Sequence, residues 1–346
     1  MIISFLAAYI LPALVLRGAV RGGATVWTAF VFAVFVHTAI EYVFNKTVGA
    51  SAPVFREEPL VGNLILYAYV PVQTAVLLVV LRAFADPTWS HLEQFGLALS
   101  TGTMTGAIGI TAAHELVHRR TKTERGMGLF LLLQVLDMQF EIEHIRGHHK
   151  YVATAQDTST ARKGESVYAF VPRAVGAAVE FSAQIERAAG RTGVRSRLNQ
   201  YLALQLLLLI AIGAIAGPWA LLWFVVQSAV AIFYLEAVNY IEHYGLERHQ
   251  LPNGRYEDVD ETHSWDTYGA LTNVYLFKLG FHSDHHIAAA RPYPLLRKRD
   301  PSDVLPAGYS AMILLSLVPP FWRRVMDWRV DRRRLQAHGE PIVESA

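Results

Sequence analysis

Nine of the fourteen histidines of this chain fall in four short clusters. Neutral imidazole is a common metal ligand, and one first-row metal ion accepts about four to six ligands. Nine imidazoles therefore exceed the need of one ion, and the simplest arrangement shares four and five nitrogens between two ions. The clusters are HELVH at 114–118, HIRGHH at 144–149, His243 in NYIEHYG, and HSDHH at 282–286.

The spacing within the clusters predicts which rings lie together on a helix. Residues three or four apart share one helix face. This spacing predicts stacked pairs at His114 with His118, at His144 with His148, and at His282 with His285. His149 and His286 follow these pairs and are rotated by about 100° from their neighbours.

Each cluster by itself has another interpretation. A single membrane histidine such as His243 is usually a hydrogen-bonded contact between helices. HELVH also matches the zinc protease pattern, in which the glutamate, here Glu115, acts as general base. That pattern would leave at least six clustered histidines unexplained. The four clusters together favour a metal centre.

Acidic residues stand next to the histidines in all four clusters. We expect their carboxylates to accept hydrogen bonds from the ring N–H groups that face away from the metal, with direct ligation as the less favoured role. The candidates are Glu115, Glu143, Glu242 and Asp284. His263, shortly before the last cluster, is a further candidate for such an outer position. His37 and Glu41, in an early apolar run, are interpreted as a polar contact between helices rather than as a functional pair.

The composition is that of an integral membrane protein. Hydrophobic residues make up 53% of the chain and charged residues 17%, and the mean hydropathy is +0.26. About 20 apolar residues span a bilayer. The predicted fold is all-α, with six spans at about 2–20, 24–45, 60–84, 94–114, 198–216 and 218–241.

The placement of lysine and arginine predicts the orientation. With the amino terminus inside the cell, only Arg17, Arg21 and Arg82 lie in outer loops, as the positive-inside rule favours. The first apolar run lacks a basic leader and a small-residue cleavage site, so we expect it to remain as a membrane helix. Both termini would then be cytoplasmic.

Four parts of the chain follow from this topology. Spans one to four occupy 1–118 and end in the first histidine cluster, and 119–197 is a cytoplasmic segment with the second cluster. Spans five and six occupy 198–242, and 243–346 carries the last cluster. We expect the two polar segments to pack together as one cap. The short apolar stretch at 127–140 is predicted to be re-entrant or buried. Residues 165–190 have apolar side chains at helical spacing among charged ones and are predicted to lie along the membrane surface. The short apolar run at 309–318 is predicted to anchor at the interface.

The chain contains no cysteine. Within these residues this excludes disulfides, thiolate-bound zinc, a haem-thiolate centre and an iron–sulfur or rubredoxin domain. Any electrons that a redox metal centre needs must come from another protein.

The histidine blocks resemble the alkane 1-monooxygenase family of the membrane fatty acid desaturase and hydroxylase superfamily. The resemblance covers about residues 100 to 300 and rests on HELVHRR, EHIRGHHKYVAT with GESVYAFVPR, NYIEHYGLER, and HSDHH with RPYPLLR. It implies an inner-membrane di-iron enzyme that uses O₂ and electrons from a rubredoxin or ferredoxin with its NAD(P)H-dependent reductase. The implied ligands are His114, His118, His144, His148, His149, His243, His282, His285 and His286.

Three positions depart from the usual pattern of this family. The alkane enzymes usually have Asn, Asp and Arg where this chain has Ile145, Tyr151 and Phe281. All nine histidines are retained. The related xylene monooxygenases, which act on an aryl methyl group, indicate that the scaffold serves other substrates than straight-chain alkanes.

The expected reaction is hydroxylation of a terminal or benzylic methyl group of an apolar hydrocarbon. An unactivated C–H bond has no acidic proton, so a metal must reduce O₂ to attack it, and an apolar surround must exclude water. The first alternative is a lipid desaturase or hydroxylase with the same metal site. A zinc metalloprotease is less favoured because it would leave at least six clustered histidines unexplained. A metal transporter is less favoured because the predicted spans carry few polar residues that could form an ion path.

Overall fold

The computed structural model describes residues 2–48 and 58–337. The described chain is mainly helical. A single pair of two-residue parallel strands, β1 (Trp265–Asp266) and β2 (Asp303–Val304), is found in the described residues.

The first half of the chain consists of long helices joined by short turns. A 3₁₀ helix at Ile2–Tyr9 leads into the first α-helix, and another at Gly23–Trp27 leads into the second. The α-helices are α1 (Ile10–Arg21), α2 (Thr28–Val31), α3 (His37–Val48), α4 (Pro59–Ala85), α5 (His91–Met104), α6 (Thr111–Val117), α7 (Lys122–Leu133), α8 (Phe140–Glu143) and α9 (His149–Tyr151). Three π-helical segments, Phe32–Val36, Thr105–Ile110 and His144–His148, join α2 to α3, α5 to α6 and α8 to α9.

The second half contains one very long helix and several short ones. The α-helices are α10 (Val167–Ala188), α11 (Arg197–His243), α12 (Ala270–Tyr275), α13 (His282–Ile287), α14 (Tyr309–Ser316) and α15 (Pro319–Ala337). Short 3₁₀ helices lie at Gly193–Arg195 and Tyr293–Leu295. The predicted surface helix at 165–190 corresponds to α10, and the predicted short run at 309–318 to α14.

Four described helical stretches are long and apolar enough to cross a membrane. They are Ser4–Arg21, Gly23–Lys46, Pro59–Ala85 and Arg197–His243. The last is two helices joined at Gly217, whose φ of 87° is left-handed. Pro218 follows and cannot donate a backbone hydrogen bond. Five of the six predicted spans fall within these stretches.

The remaining predicted span, 94–114, is helical but is not one of these four. It lies in the unbroken helical run formed by α5, the π segment and α6, which begins with a capping box between Ser90 and Glu93. Serine, threonine and glycine lower its hydropathy, and most of its side chains are buried against other helices. A helix inside a bundle needs no apolar outer surface.

Glycines in this run let it approach α11 closely. A Cβ atom at Gly102 would lie 2.6 Å from the Gln227 carbonyl oxygen, and one at Gly106 would lie 2.8 Å from the Ala231 Cα. These glycines therefore serve close helix packing.

The two polar segments share an apolar core. Phe170 in α10 packs in one buried cluster with Tyr240 of α11 and with Trp265 and Trp322 from the last segment. The carbonyl of Lys150 accepts a hydrogen bond of 3.0 Å from Arg248. These contacts hold the segments with the second and last histidine clusters against each other.

Candidate metal centre

All nine clustered histidines converge in the structure. Seven are buried and two are half-buried. In each of two groups, one ring nitrogen from every histidine lies within 4.8 Å of those from the others. The five-histidine group is His114, His118, His144, His149 and His285, and the four-histidine group is His148, His243, His282 and His286.

Helix geometry explains how the second cluster serves both groups. In a regular α-helix, residues five apart point about 140° away from each other. The π segment at His144–His148 adds a residue to the turn, which brings His144 and His149 together with their Nε2 atoms 3.1 Å apart. The His144 and His148 rings stack as the spacing predicted, with ring centres 5.3 Å apart, and His148 nevertheless joins the four-histidine group.

The last cluster is divided in the same manner. His282 and His286, four apart on α13, have their Nε2 atoms 3.0 Å apart in the four-histidine group. His285 instead points to the five-histidine group, where its Nε2 lies 3.1 Å from that of His149. His282 and His285 stack as the spacing predicted, with ring centres 5.7 Å apart, but their ring nitrogens belong to different groups.

His243 belongs to the site despite its isolation in the sequence. It is the last residue of α11 and is fully buried. Its Nε2 lies 3.1 Å from the Nε2 of His282. The long helix therefore delivers a single ring to the four-histidine group.

The donor set fits two metal ions. A ring nitrogen lies ~2.1 Å from a first-row metal such as zinc, so two such ligands at right angles are ~3.0 Å apart. The Nε2 separations match this spacing. The Nε2 atoms of His114 and His148 are buried and, among the described residues, have no hydrogen-bond partner. Such nitrogens are available as ligands.

Electrostatics favour the protonation state that binds metal. Burial and the neighbouring imidazoles hold the pKa of His285 and that of His286 well below the ordinary histidine value. Both rings are therefore neutral near pH 7. A neutral imidazole has a free lone pair for a metal ion.

Three groups contact the Nδ1 atoms of the four-histidine group, which are the outer nitrogens that face away from the converging Nε2 atoms. Asp157 Oδ2 lies 3.0 Å from His148 Nδ1, and the main-chain oxygen of His263 lies 3.2 Å from His243 Nδ1. Glu242 Oε1 lies 3.2 Å from His282 Nδ1, without the alignment of a hydrogen bond. Contacts of this kind fix the orientation of a ligating ring.

The other predicted carboxylates have different partners. Glu115 forms an ion pair of 2.6 Å with Arg119 and accepts from the backbone N–H of Tyr293. Asp284 pairs with Arg291 and Arg299.

Glu143 is held by hydroxyl groups. Its Oε1 atom accepts a hydrogen bond of 2.6 Å from Thr158. Together with the ion pairs of Glu115 and Asp284, this contact ties the loops around the histidines together.

The sequence analysis missed Asp157. It lies nine residues after His148 in the loop ATAQDTST. Thr160 donates a hydrogen bond of 2.6 Å to the same carboxylate oxygen, so the loop's hydroxyl groups hold the acid in place. A lone aspartate within a polar loop gave no periodic signal. The role expected of His263 falls to its main chain, since its ring contacts Glu257 at 3.2 Å.

A predominantly apolar cavity reaches the histidines. Its wall includes His114 and His144 of the five-histidine group and His282 of the four-histidine group. Phe32, Leu235 and Leu276 are among the apolar side chains that line it.

A second apolar pocket adjoins this cavity near the bundle surface. The two share Ala33, Tyr234, Ser310 and Ile313. Phe35, which lines the second pocket, is 56% exposed. An apolar path therefore runs from the side of the bundle toward the metal centre.

An apolar helical bundle with two adjacent groups of buried histidines defines a membrane protein with a histidine-rich metal centre. The model of the fatty acid desaturase family matches residues 87–316. The chain is 41% identical over 274 residues to alkane 1-monooxygenase 1 of Pseudomonas aeruginosa, which is 77% of this chain and 72% of that relative.

Two further relatives have related names. Alkane 1-monooxygenase 2 of Alcanivorax borkumensis is 39% identical over 263 residues, 74% of this chain and 69% of the relative. The hydroxylase component of the xylene/toluene monooxygenase of Pseudomonas putida is 28% identical over 253 residues, 68% of this chain and 66% of the relative. The chain belongs to the alkane 1-monooxygenase family.

Proposed function

We propose that this protein is a membrane di-iron monooxygenase that hydroxylates a terminal or benzylic methyl group of an apolar hydrocarbon. The observation that carries the proposal is the position of the two histidine groups at the wall of an apolar cavity. The relatives named as alkane 1-monooxygenases and as a xylene/toluene monooxygenase component support this reaction class. In the reaction, one atom of O₂ enters the C–H bond to give an alcohol, and two electrons and two protons convert the other atom to water.

The nine histidines would hold two iron ions, one in each group. When bound, the ions would supply the reduction of O₂ and the oxidation of the C–H bond. Asp157 and the main chain of His263 orient the rings of His148 and His243, and Glu242 lies beside His282. The ring orientation is thereby set before a metal binds, which lowers the cost of assembling the site.

The apolar cavity would bind and orient the substrate. Its walls exclude water from the reacting methyl group. The adjoining pocket, with exposed Phe35 on its wall, gives an apolar molecule a route from the bilayer. A substrate dissolved in lipid would thus not need to cross water.

A separate protein would supply the electrons. The chain has no cysteine to hold an iron–sulfur or rubredoxin centre, so a rubredoxin or ferredoxin with its NAD(P)H-dependent reductase is the proposed partner. Arg119 forms an ion pair with Glu115. Arg120 and Lys122 are exposed beside the first histidine cluster and would attract an acidic donor.

The proposed topology has six spans in the inner membrane and both termini in the cytoplasm. Five spans lie in the four long apolar stretches, and α5 with α6 forms the buried sixth. The segments 119–197 and 243–346 form the proposed cytoplasmic cap, of which 338–346 lies outside the described residues. Their shared apolar core supports this division.

The alternative is removal of two hydrogens by a desaturase. The matching family model is described as a fatty acid desaturase, and such an enzyme would use the same metal site. The alkane 1-monooxygenase relatives favour hydroxylation. The product distinguishes the two reactions, because an alkene carries no oxygen from O₂.

The decisive experiment uses the purified protein in nanodiscs with a rubredoxin, its reductase and ¹⁸O₂. We expect a labelled primary or benzylic alcohol from an alkane or a xylene, and about two iron ions per chain. Omitting the rubredoxin is the control and should stop turnover. An unlabelled alkene, or one zinc ion per chain with proteolysis that depends on Glu115, would contradict the proposal.

A further inference from the structure

One wall of the apolar cavity carries polar atoms that the metal centre does not use. This polar wall consists of His37 of α3, Thr272 of α12 and Ser310 of α14, all of which line the cavity. None of these three helices carries any of the nine clustered histidines. The polar wall is therefore a separate feature of the cavity.

His37 has one nitrogen engaged and one free. Its side chain is more than nine-tenths buried, and its Nδ1 lies 3.3 Å from the hydroxyl of Ser310. The ring packs edge-on against Tyr275, with the ring centres 4.8 Å apart. Nε2 is buried and has no aligned hydrogen-bond partner among the described residues, and the backbone of Leu271 lies close to the ring.

Thr272, which lines the same cavity, carries a second unpaired atom. Its side chain is buried, and its hydroxyl oxygen has no hydrogen-bond partner in the part of the chain that the structure describes. Buried polar groups nearly always have a partner, from protein, water or ligand. Two such atoms on one cavity wall point to a ligand that supplies the missing hydrogen-bond partner.

Glu41 is not that partner, because it is already engaged. It accepts a hydrogen bond of 2.8 Å from the backbone N–H of Thr272. A Cβ atom at Gly308 or at Gly269 would clash with its carboxylate, so the chain packs tightly around it. Glu41 thus makes a polar contact between helices, as the sequence predicted, and it holds Thr272 in the wall of the cavity that His37 also lines.

We infer that the polar wall binds an oxygen atom of the substrate. The substrate class is an apolar molecule with one hydroxyl or carbonyl group, held at the polar wall while a methyl group elsewhere in the molecule reaches the metal centre. This inference rests on the proposed function and narrows its substrate. A site built to pair with an oxygen discriminates against the analogue that lacks it, because its own polar groups are then left unpaired.

The test compares two substrates of equal size, undecan-2-one and dodecane, with the loaded enzyme and its donor in nanodiscs. The wild type should have a higher kcat/KM for the ketone. His37→Leu and Thr272→Val should each lower the ratio of the two kcat/KM values by about tenfold. The double variant should lose less than the product of the two effects, since both groups bind one oxygen.

A second measurement does not require turnover. The carbonyl stretching frequency of undecan-2-one bound to the anaerobic enzyme should be lowered by hydrogen bonds and should rise in His37→Leu and Thr272→Val. His91→Leu is the matched control, because His91 is exposed and distant in sequence from the residues of the polar wall. It should leave the ratio of the kcat/KM values and the carbonyl stretching frequency unchanged.

An unchanged ratio and an unchanged frequency in both cavity variants would overturn the inference and would indicate that water occupies the polar wall. If the wild type oxidised neither compound, the proposed function would fail, and the infrared measurement would still decide whether the oxygen binds at the polar wall.

Discussion

The two histidine groups lie side by side but are held in different ways. In the five-histidine group the short contacts of the described structure join one imidazole to another, as between His118 and His144 at 3.0 Å, and Phe140 stacks on His144. In the four-histidine group Asp157 and the main chain of His263 contact outer ring nitrogens. The rings of the five-histidine group are therefore held by packing against one another and against Phe140. Rings of the four-histidine group are also held by hydrogen bonds to their outer nitrogens.

This difference has a consequence for metal binding. An aspartate that accepts the outer N–H of a ligating histidine makes the ring a stronger donor. The four-histidine group has fewer rings, and it has the carboxylate of Asp157 in hydrogen-bond contact. We therefore expect the ion in the four-histidine group to have fewer but stronger nitrogen donors. The ion in the five-histidine group should have more donors, without a supporting carboxylate.

The largest expected effect comes from removing one ring of either group. His118→Ala in the five-histidine group and His243→Ala in the four-histidine group should each abolish turnover and lower the iron content from about two ions per chain toward one. The reason is that each change opens one coordination sphere. Metal analysis and product analysis of the same preparation check this.

His91→Ala is the control for this prediction and should keep both the iron and the activity, because its exposed side chain is remote in sequence from the histidine clusters. Full activity in His243→Ala would show that this histidine is only a packing residue, and would leave the four-histidine group with three rings.

The sequence indicated which histidines the fold brings together, because residue type and clustering carry that information. It did not predict how the rings divide between the groups. The α-helical spacing rule correctly stacked His144 on His148, but it could not show that His149 groups with His144, because the local turn is a π-helix. That extra residue in the turn depends on packing between distant segments, and one sequence does not reveal it.

The groups that contact the outer ring nitrogens of the histidines were predictable only in part. Glu242 was found because it precedes a histidine, and His263 because it is near the last cluster, although its main chain makes the contact. Asp157 lies in a loop without periodicity, so only the three-dimensional fold brings it to His148. Among the spans, apolar runs on the outside of the bundle were easy to recognise, whereas the buried run 94–114 contains small polar residues because helices surround it.

The second prediction tests the support that Asp157 gives to the four-histidine group. Asp157→Asn should weaken iron retention in that group by about 10–100-fold, the usual cost of removing such a partner. The change preserves size but removes the charge that favours the His148 ring N–H. The measurement is the time course of iron release to a chelator. Iron from the four-histidine group of the variant should leave in a second phase that is faster than the release from the other group.

Glu143→Gln is the matched control for Asp157→Asn. Glu143 is buried as deeply and also lies close to the histidines, but its carboxylate accepts from Thr158. We expect it to release iron more slowly than Asp157→Asn does. Equal release from the two variants would mean that any buried carboxylate near the centre has this effect, and the contrast between the groups would be lost.

The smallest expected effect concerns His263. Its main-chain oxygen contacts His243, whereas its ring contacts Glu257 and Asp260 on the outer side. His263→Gln keeps the carbonyl in the chain, so iron retention should change by less than about twofold, well below the effect at Asp157. The same chelator assay measures it, with thermal unfolding to show that the loop is intact. Iron loss as large as in Asp157→Asn, from a folded variant, would mean that the His263 ring itself supports the centre, and that sequence proximity had indicated the correct group after all.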